Sequence, residues 1–225
     1  MTSLLPKLQQ KYPNLILDNA QAFFSHPIEE ISTLYSSRKF FGIPDGGFVY
    51  TPFRSYDNSL ERDISYNRTS HLLKRIDVGA EKGYQDFIQN DHALDNSNIL
   101  HMSSLTERLM YCIDYEAVKQ KRNKNFLYLH KYLADMNELS SVIEKSYVNG
   151  PMVYPFLRKN NIELRKQLIH NRIYVAMYWP NIPVWIDDKN TVEMYFYNNL
   201  IALPIDQRYG LDDMDFIMKI IRFNL

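Results

Sequence analysis

Two residues that could act together on a carbonyl compound stand near the start of this sequence. Asp18 ends the apolar run Leu15-Ile16-Leu17, and Lys39 follows it twenty-one residues later. An apolar run bounded by polar residues predicts a strand of a parallel sheet covered on both faces. Asp18 then falls at the strand's carboxyl end, where open α/β sheets gather their ligand-binding groups. Lys39 comes after Ser36-Ser37-Arg38 and before Phe40-Phe41. A lysine among aromatics is expected to be partly desolvated, which favours the free amine that Schiff-base chemistry needs. An aspartate held nearby could balance a pyridinium nitrogen, the partner that lets pyridoxal phosphate act as an electron sink. The cluster Pro44-Asp45-Gly46-Gly47 predicts a turn, and Phe48-Val49-Tyr50 a second apolar strand.

Taken in order, Asp18-Asn19-Ala20-Gln21-Ala22, Lys39 and Asp45-Gly46-Gly47 resemble the cofactor segment of the DegT/StrS-type aminotransferases. These are fold-type I pyridoxal-phosphate enzymes, many acting on keto sugars linked to nucleotides. The resemblance implies that Lys39 is the Schiff-base lysine and Asp18 the partner of the pyridine nitrogen. It places Gln21 near the cofactor ring and makes Ser36 the candidate for the cofactor phosphate. Two positions depart from the pattern. Many relatives carry the phosphate serine five residues before the lysine, where this chain has Leu34; Ser36 gives the Ser-x-x-Lys spacing of other fold-type I enzymes. Asp45 stands where the usual pattern has glutamate.

The elements that must position these residues are readable from pattern and composition. The chain has 225 residues, 45% of them hydrophobic, enough for one large or two small packed domains. Basic and acidic residues balance at 26 each, which argues against nucleic acid or an anionic membrane as partner. The single cysteine, Cys112, excludes an internal disulfide and points to a reducing compartment. No apolar run approaches the roughly 20 residues of a membrane span. The first residues lack the apolar stretch of a signal peptide; a cytoplasmic protein is expected. His26 has no second His or Cys at metal spacing, so no metal is expected, and it reads as a packed polar residue. Arg62, Arg68 and Arg75 could reach an anionic substrate or a cofactor phosphate, although such charge runs are usually solvated.

Residues 3–13 predict a short amphipathic helix stopped by Pro13. Ser103-Ser104 followed by Glu107 predicts a capped helix. Val118, Phe126, Leu129 and Leu133 fall at helical spacing, predicting a helix from Tyr115 to Met136, with Arg122 to Asn125 facing solvent or a domain interface. Beyond Gly150-Pro151 the pattern predicts strand 152–157, helix 161–171, strand 173–177, helix 188–197, strand 200–203 and helix 212–223, a small α/β domain. Trp179 and Trp185 read as core aromatics, with a sugar site as the alternative.

This later part resembles the small domain of the same aminotransferases at Tyr154-Pro155-Phe156, Glu163-Leu164-Arg165 and Leu203 to Tyr209. The two resemblances are collinear and cover nearly the whole chain. They imply an α/β fold: the latter part of a fold-type I large domain, then a small α/β domain. The expected organisation is 1–113 for the partial large domain, 114–150 for a connecting long helix and 151–225 for the small domain. The expected function is amino transfer from an amino donor to a keto sugar, with pyridoxal phosphate as cofactor. Asp18 comes early for that family, and no Gly-x-Gly-x-x-Gly or phosphate loop is present. A homodimer, or a separately encoded front half, is therefore expected to complete the site. Two rivals stand beside this reading, a non-catalytic remnant and an unrelated α/β binding protein with a structural Lys39.

Overall fold

The computed structural model describes residues 5–53, 59–95, 97–143 and 145–224. They pack as two compact units, Met1–Asp114 and Tyr115–Leu225.

In the first unit, helix α1 (Leu5–Lys11) leads into strand β1 (Ile16–Asp18). Residues 3 and 4 of the expected helix lie outside the described residues. β1 pairs in parallel with β2 (Ser32–Tyr35), with Asp18 opposite Leu34; β2 pairs antiparallel with β3 (Phe48–Tyr50). The parallel pairing agrees with the apolar run. The expectation that both faces are covered does not hold among the described residues. Ile16 is 60% exposed, Val49 65%, and Leu34 is exposed between them on the same face by register. On the opposite face Thr33 is buried, and Phe23, Phe24, Phe40 and Phe41 cluster with ring centroids 4.9–6.4 Å apart. Edge-to-face pairs of this kind add about 0.5–1.5 kcal/mol each beyond burial. His26 and Pro27 are exposed, so only the phenylalanines of that turn pack inward.

Helices α2 (Ser70–Asp77), α3 (Ala80–Asp95) and α4 (Ser104–Tyr111) complete the unit. Residues 60–63 are not helical, and Arg62 is bridged to His101. Ser103 caps α4 by accepting from Thr106 N–H at 3.1 Å, as its sequence pattern predicts.

The second unit begins with α5 (Tyr115–Leu133), continued by a 3-10 turn to Met136. Phe126, Leu129 and Leu133 face a core shared with β4 (Val153–Leu157), α6 (Ile162–His170), β5 (Leu200–Pro204) and α9 (Leu211–Phe223). The short helices α7 (Ile182–Trp185) and α8 (Val192–Asn199) precede β5. β4 and β5 pair antiparallel. The expected strand 173–177 reduces to one bridge, Ala176 to Ala202. Trp179 and Trp185 are both exposed, the latter 76%, so neither is a core residue.

A further correction lies on α5. Arg122 is 1% exposed and Asn125 is fully buried, with partners inside the second unit rather than in solvent or at a domain interface. Arg122 donates to Pro151 O at 3.0 Å, Met152 O at 3.2 Å and Gln207 Oε1 at 2.9 Å. Asn125 donates to Ile205 O at 3.2 Å and Tyr209 O at 3.1 Å. Buried carbonyls at strand ends need donors, and these polar side chains supply them. Burial pushes the Arg122 guanidinium down to about 10, with Asp206 opposing.

The buried His130 is neutral by arrangement. Asn137 Nδ2 donates to Tyr154 Oη at 3.1 Å, leaving the Tyr154 hydroxyl proton for His130 Nδ1 at 3.2 Å. Burial, and then the charge of Lys145, holds this imidazole below its ordinary range. The unfolded chain protonates near 6.5. It therefore binds more protons than the fold below that pH, and stability falls as pH drops from about 6.5 toward the lowered value. Thermal midpoints taken from pH 7.5 to 5 should decline over this window. His130→Gln, which accepts the same bond but cannot charge, should flatten the decline, with the similarly lowered His71 leaving a remainder.

Candidate functional site

The parallel pairing of β1 and β2 brings two of the chemistry-bearing segments to one edge. Asp18 closes β1 opposite Leu34, and Asn19 N–H donates to Leu34 O at 2.8 Å. Ser36 lies just past the end of β2, and a 3-10 turn, Ser37–Lys39, follows. The carboxyl ends of two adjacent parallel strands thus carry Asp18 and the lysine turn, the edge where α/β sheets hold ligands.

The turn is built by its neighbours in sequence. Ser37 is fully buried and donates its hydroxyl to Gly46 O at 2.9 Å, closing the segment 37–46 on itself. Phe40 and Phe41 are buried, which turns the chain on either side of them outward. Gly47 sits so close to Tyr35 that a Cβ would meet its carbonyl oxygen at 2.8 Å, and Gly46 has φ +95°. Only glycines fit that return path into β3.

Asp45 is the anchor of the turn. It is buried and accepts from Ser103 N–H at 2.8 Å, from the Ser103 hydroxyl at 2.9 Å and from the Thr106 hydroxyl. Ser65 Oγ supports this from behind, 2.6 Å from Ser103 Oγ. Burial alone would push the Asp45 carboxyl up, but these donors at the start of α4 hold it below the usual carboxylate range. Nothing in the sequence linked Asp45 to Ser103, 58 residues away.

The candidate residues contrast with this scaffold. Among the described residues, Lys39 Nζ, the Ser36 hydroxyl and the Gln21 amide make no hydrogen bond or ion pair. Asp18 spends one oxygen, Oδ1, on Ala20 N–H at 2.8 Å and keeps Oδ2 uncommitted. Lys39, Gln21 and Asp18 are exposed and Ser36 is half-buried. Lys39 is therefore exposed rather than wedged among aromatics, while Phe40 and Phe41 beside it in sequence are buried. A primary amine, a carboxylate oxygen, an amide and a hydroxyl, all free, suit pyridoxal phosphate chemically. Arg62 and Arg68, also considered as anion binders, are neutralised instead. Arg62 meets Glu107 at 2.7 Å, and Arg68 pairs with Asp63. A cavity of about 270 Å³ opens beside the Asp-Gly-Gly turn, lined by Asp45, Gly46, Gly47, Asp63, His101 and Met102 among others; neither Lys39 nor Asp18 lines it. No group of three His, Cys, Asp or Glu among the described residues could hold a metal ion.

No protein-family model matches the sequence, and no curated protein matches it. Solved structures do. A DegT/DnrJ/EryC1/StrS aminotransferase from Brucella abortus superposes with TM-score 0.56 at 14% identity, over 99% of this chain and 60% of its own. A Streptococcus pneumoniae protein assigned as a sugar aminotransferase, in its PMP form, gives 0.54 at 14% identity over 95% and 59%. The sugar aminotransferase CalS13 from Micromonospora echinospora gives 0.53 at 14% identity over 100% and 63%. The chain thus has the α/β fold of the fold-type I DegT/StrS aminotransferases and spans about 60% of their length. That share is consistent with the C-terminal portion its motifs resemble.

Proposed function

We propose that this chain is an aminotransferase-like protein that uses pyridoxal phosphate, with Lys39 as the cofactor lysine. In this reading it transfers an amino group from an amino donor to a keto group on a nucleotide-linked sugar, in the cytoplasm. The observation that carries the reading is the free amine of Lys39 and the free carboxylate oxygen of Asp18. Both stand at the carboxyl edge of a parallel strand pair, in a fold shared with sugar aminotransferases. Pyridoxal phosphate, when bound, supplies an electron sink for a substrate amine. Lys39 Nζ, once free, would move a proton between the substrate Cα and the cofactor's aldehyde carbon, in one direction for the donor and in the other for the acceptor. Asp18 Oδ2 holds the proton on the ring nitrogen by a charge-assisted hydrogen bond, worth roughly 1.5–3 kcal/mol in a buried site. Ser36 Oγ would donate to the cofactor phosphate, and Gln21 would contribute near the ring.

Both Lys39 and Asp18 are exposed, and the sheet face carrying Ile16, Leu34 and Val49 is apolar. Open sheet edges and apolar faces of this kind need covering. We therefore assign that cover to a second copy of the chain, or to another polypeptide. The 225-residue chain alone should then bind the cofactor weakly and turn over little. The visible spectrum with added pyridoxal phosphate, recorded together with the solution mass, tests this. A monomer with tight visible absorption and turnover on amino donors would contradict the need for a partner.

Asp18→Asn should lower the rate of Cα proton exchange by about 10- to 150-fold in the completed protein, the kinetic equivalent of roughly 1.5–3 kcal/mol. The fold should be untouched, since Asp18 is exposed and its Ala20 bond survives in asparagine. Proton exchange followed by NMR of the amino donor would settle it; an unchanged rate would remove Asp18 from the site.

A further inference from the structure

We propose that Asn90 and Asp91, consecutive residues of α3, are positioning residues for Lys39, an assignment that rests on the reading of Lys39 above. Lys39 makes no side-chain bond of its own among the described residues, so the reach of its four-carbon stem is set by where its backbone is held. Two bonds from α3 hold that backbone. The Asn90 amide donates to Pro44 O at 3.1 Å, five residues after the lysine. The Asp91 carboxylate accepts from the Arg38 guanidinium at 3.1 Å, one residue before it. Neighbouring residues on a helix diverge by about 100°, so one helix grips the turn from its buried and its exposed side at once. The Ser37–Gly46 bond ties the turn to itself and Asp45 ties its far end to α4; α3 adds a second reference, on the lysine's own flanks.

That reference is stiff. Asp86 of α3 accepts from Ser70 at 3.0 Å and from Lys74 at 2.8 Å, both on α2. Gly83 lets the two helices meet so closely that a Cβ there would lie 2.8 Å from His71 O. Asn90 also costs the fold something. It is 4% exposed, and its Oδ1 has no partner among the described residues. What the asparagine contributes is the donor to Pro44.

The test is trapping on the full chain. Pyridoxal phosphate is added, borohydride reduces what has formed, and peptide mass spectrometry gives the label on Lys39 relative to the other lysines. Asn90→Ala should lower that ratio about fivefold, the equivalent of one ordinary hydrogen bond. Asp91→Asn should lower it about twofold, as for an exposed ion pair, and Asp91→Glu should restore it. The Asp91 variants should keep the wild-type thermal midpoint, because Asp91 is 58% exposed. A role confined to stability would move midpoints and leave the ratio alone. If Asn90→Ala fails to fold, the Asp91 variants decide. Ratios unchanged in the folded variants overturn this assignment while leaving Lys39 as the cofactor lysine. A wild-type chain with no preference for Lys39 overturns that reading and this assignment together.

Discussion

Lys39→Ala is expected to abolish trapping of pyridoxal phosphate in the segment 36–46 while leaving the stability of the chain within about 0.5 kcal/mol of wild type. The loss should be complete because nothing nearby can substitute. The only other cation in that segment is Arg38, a guanidinium committed to Asp91 and not a nucleophile at neutral pH. Stability should hold because Lys39 is exposed and its amine makes no bond among the described residues. Peptide mapping after borohydride, paired with a thermal melt, reads both halves of the expectation.

Asp45→Ala should be the most damaging single change to the first unit, by about 3 kcal/mol. Hydrogen bonds to a charged group contribute roughly 1.5–3 kcal/mol each, though they do not add fully. Alanine would leave the Ser103 N–H and the Ser103 and Thr106 hydroxyls buried without their acceptor. It would also release the Gly-Gly return from α4. The same carboxylate makes the unit acid-sensitive. Its folded pKa lies below the ordinary 3.8, so its contribution is complete above that value and is lost as pH falls through the lowered one. Urea midpoints should drop below pH 4 in wild type, and Asp45→Ala should lack that part of the drop. Amide exchange in α4 should rise in the variant at neutral pH; protection as in wild type would contradict the anchoring role.

The parts of this architecture that announce themselves in sequence are those written in local pattern. The run Leu15 to Leu17 marked β1, Ser103 with Glu107 marked the start of α4, and the spacing of Phe126, Leu129 and Leu133 marked the inward face of α5. The lysine turn was legible for the same reason. Asp-Gly-Gly is needed because the chain must pass within van der Waals distance of Tyr35 O on its way back into the sheet. What stayed hidden was decided by partners far away in the chain. Arg122 and Asn125 look like solvated helix residues, yet carbonyls near Pro151 and Ile205 draw them inside. Ser36 and Ser37 are indistinguishable by type, and only the approach of Gly46 assigns Ser37 to the scaffold and leaves Ser36 free. Exposure misled in the other direction as well. Aromatic residues suggested a desolvated lysine and core tryptophans, and the fold leaves Lys39, Trp179 and Trp185 at the surface.

The most direct measurement is the site of covalent trapping in the wild-type chain. The purified 225-residue protein is mixed with pyridoxal phosphate, reduced with borohydride, digested and mapped. The account predicts that the peptide containing Lys39 carries the label in preference to every other lysine. Labelling concentrated at another lysine, with Lys39 untouched, would contradict it.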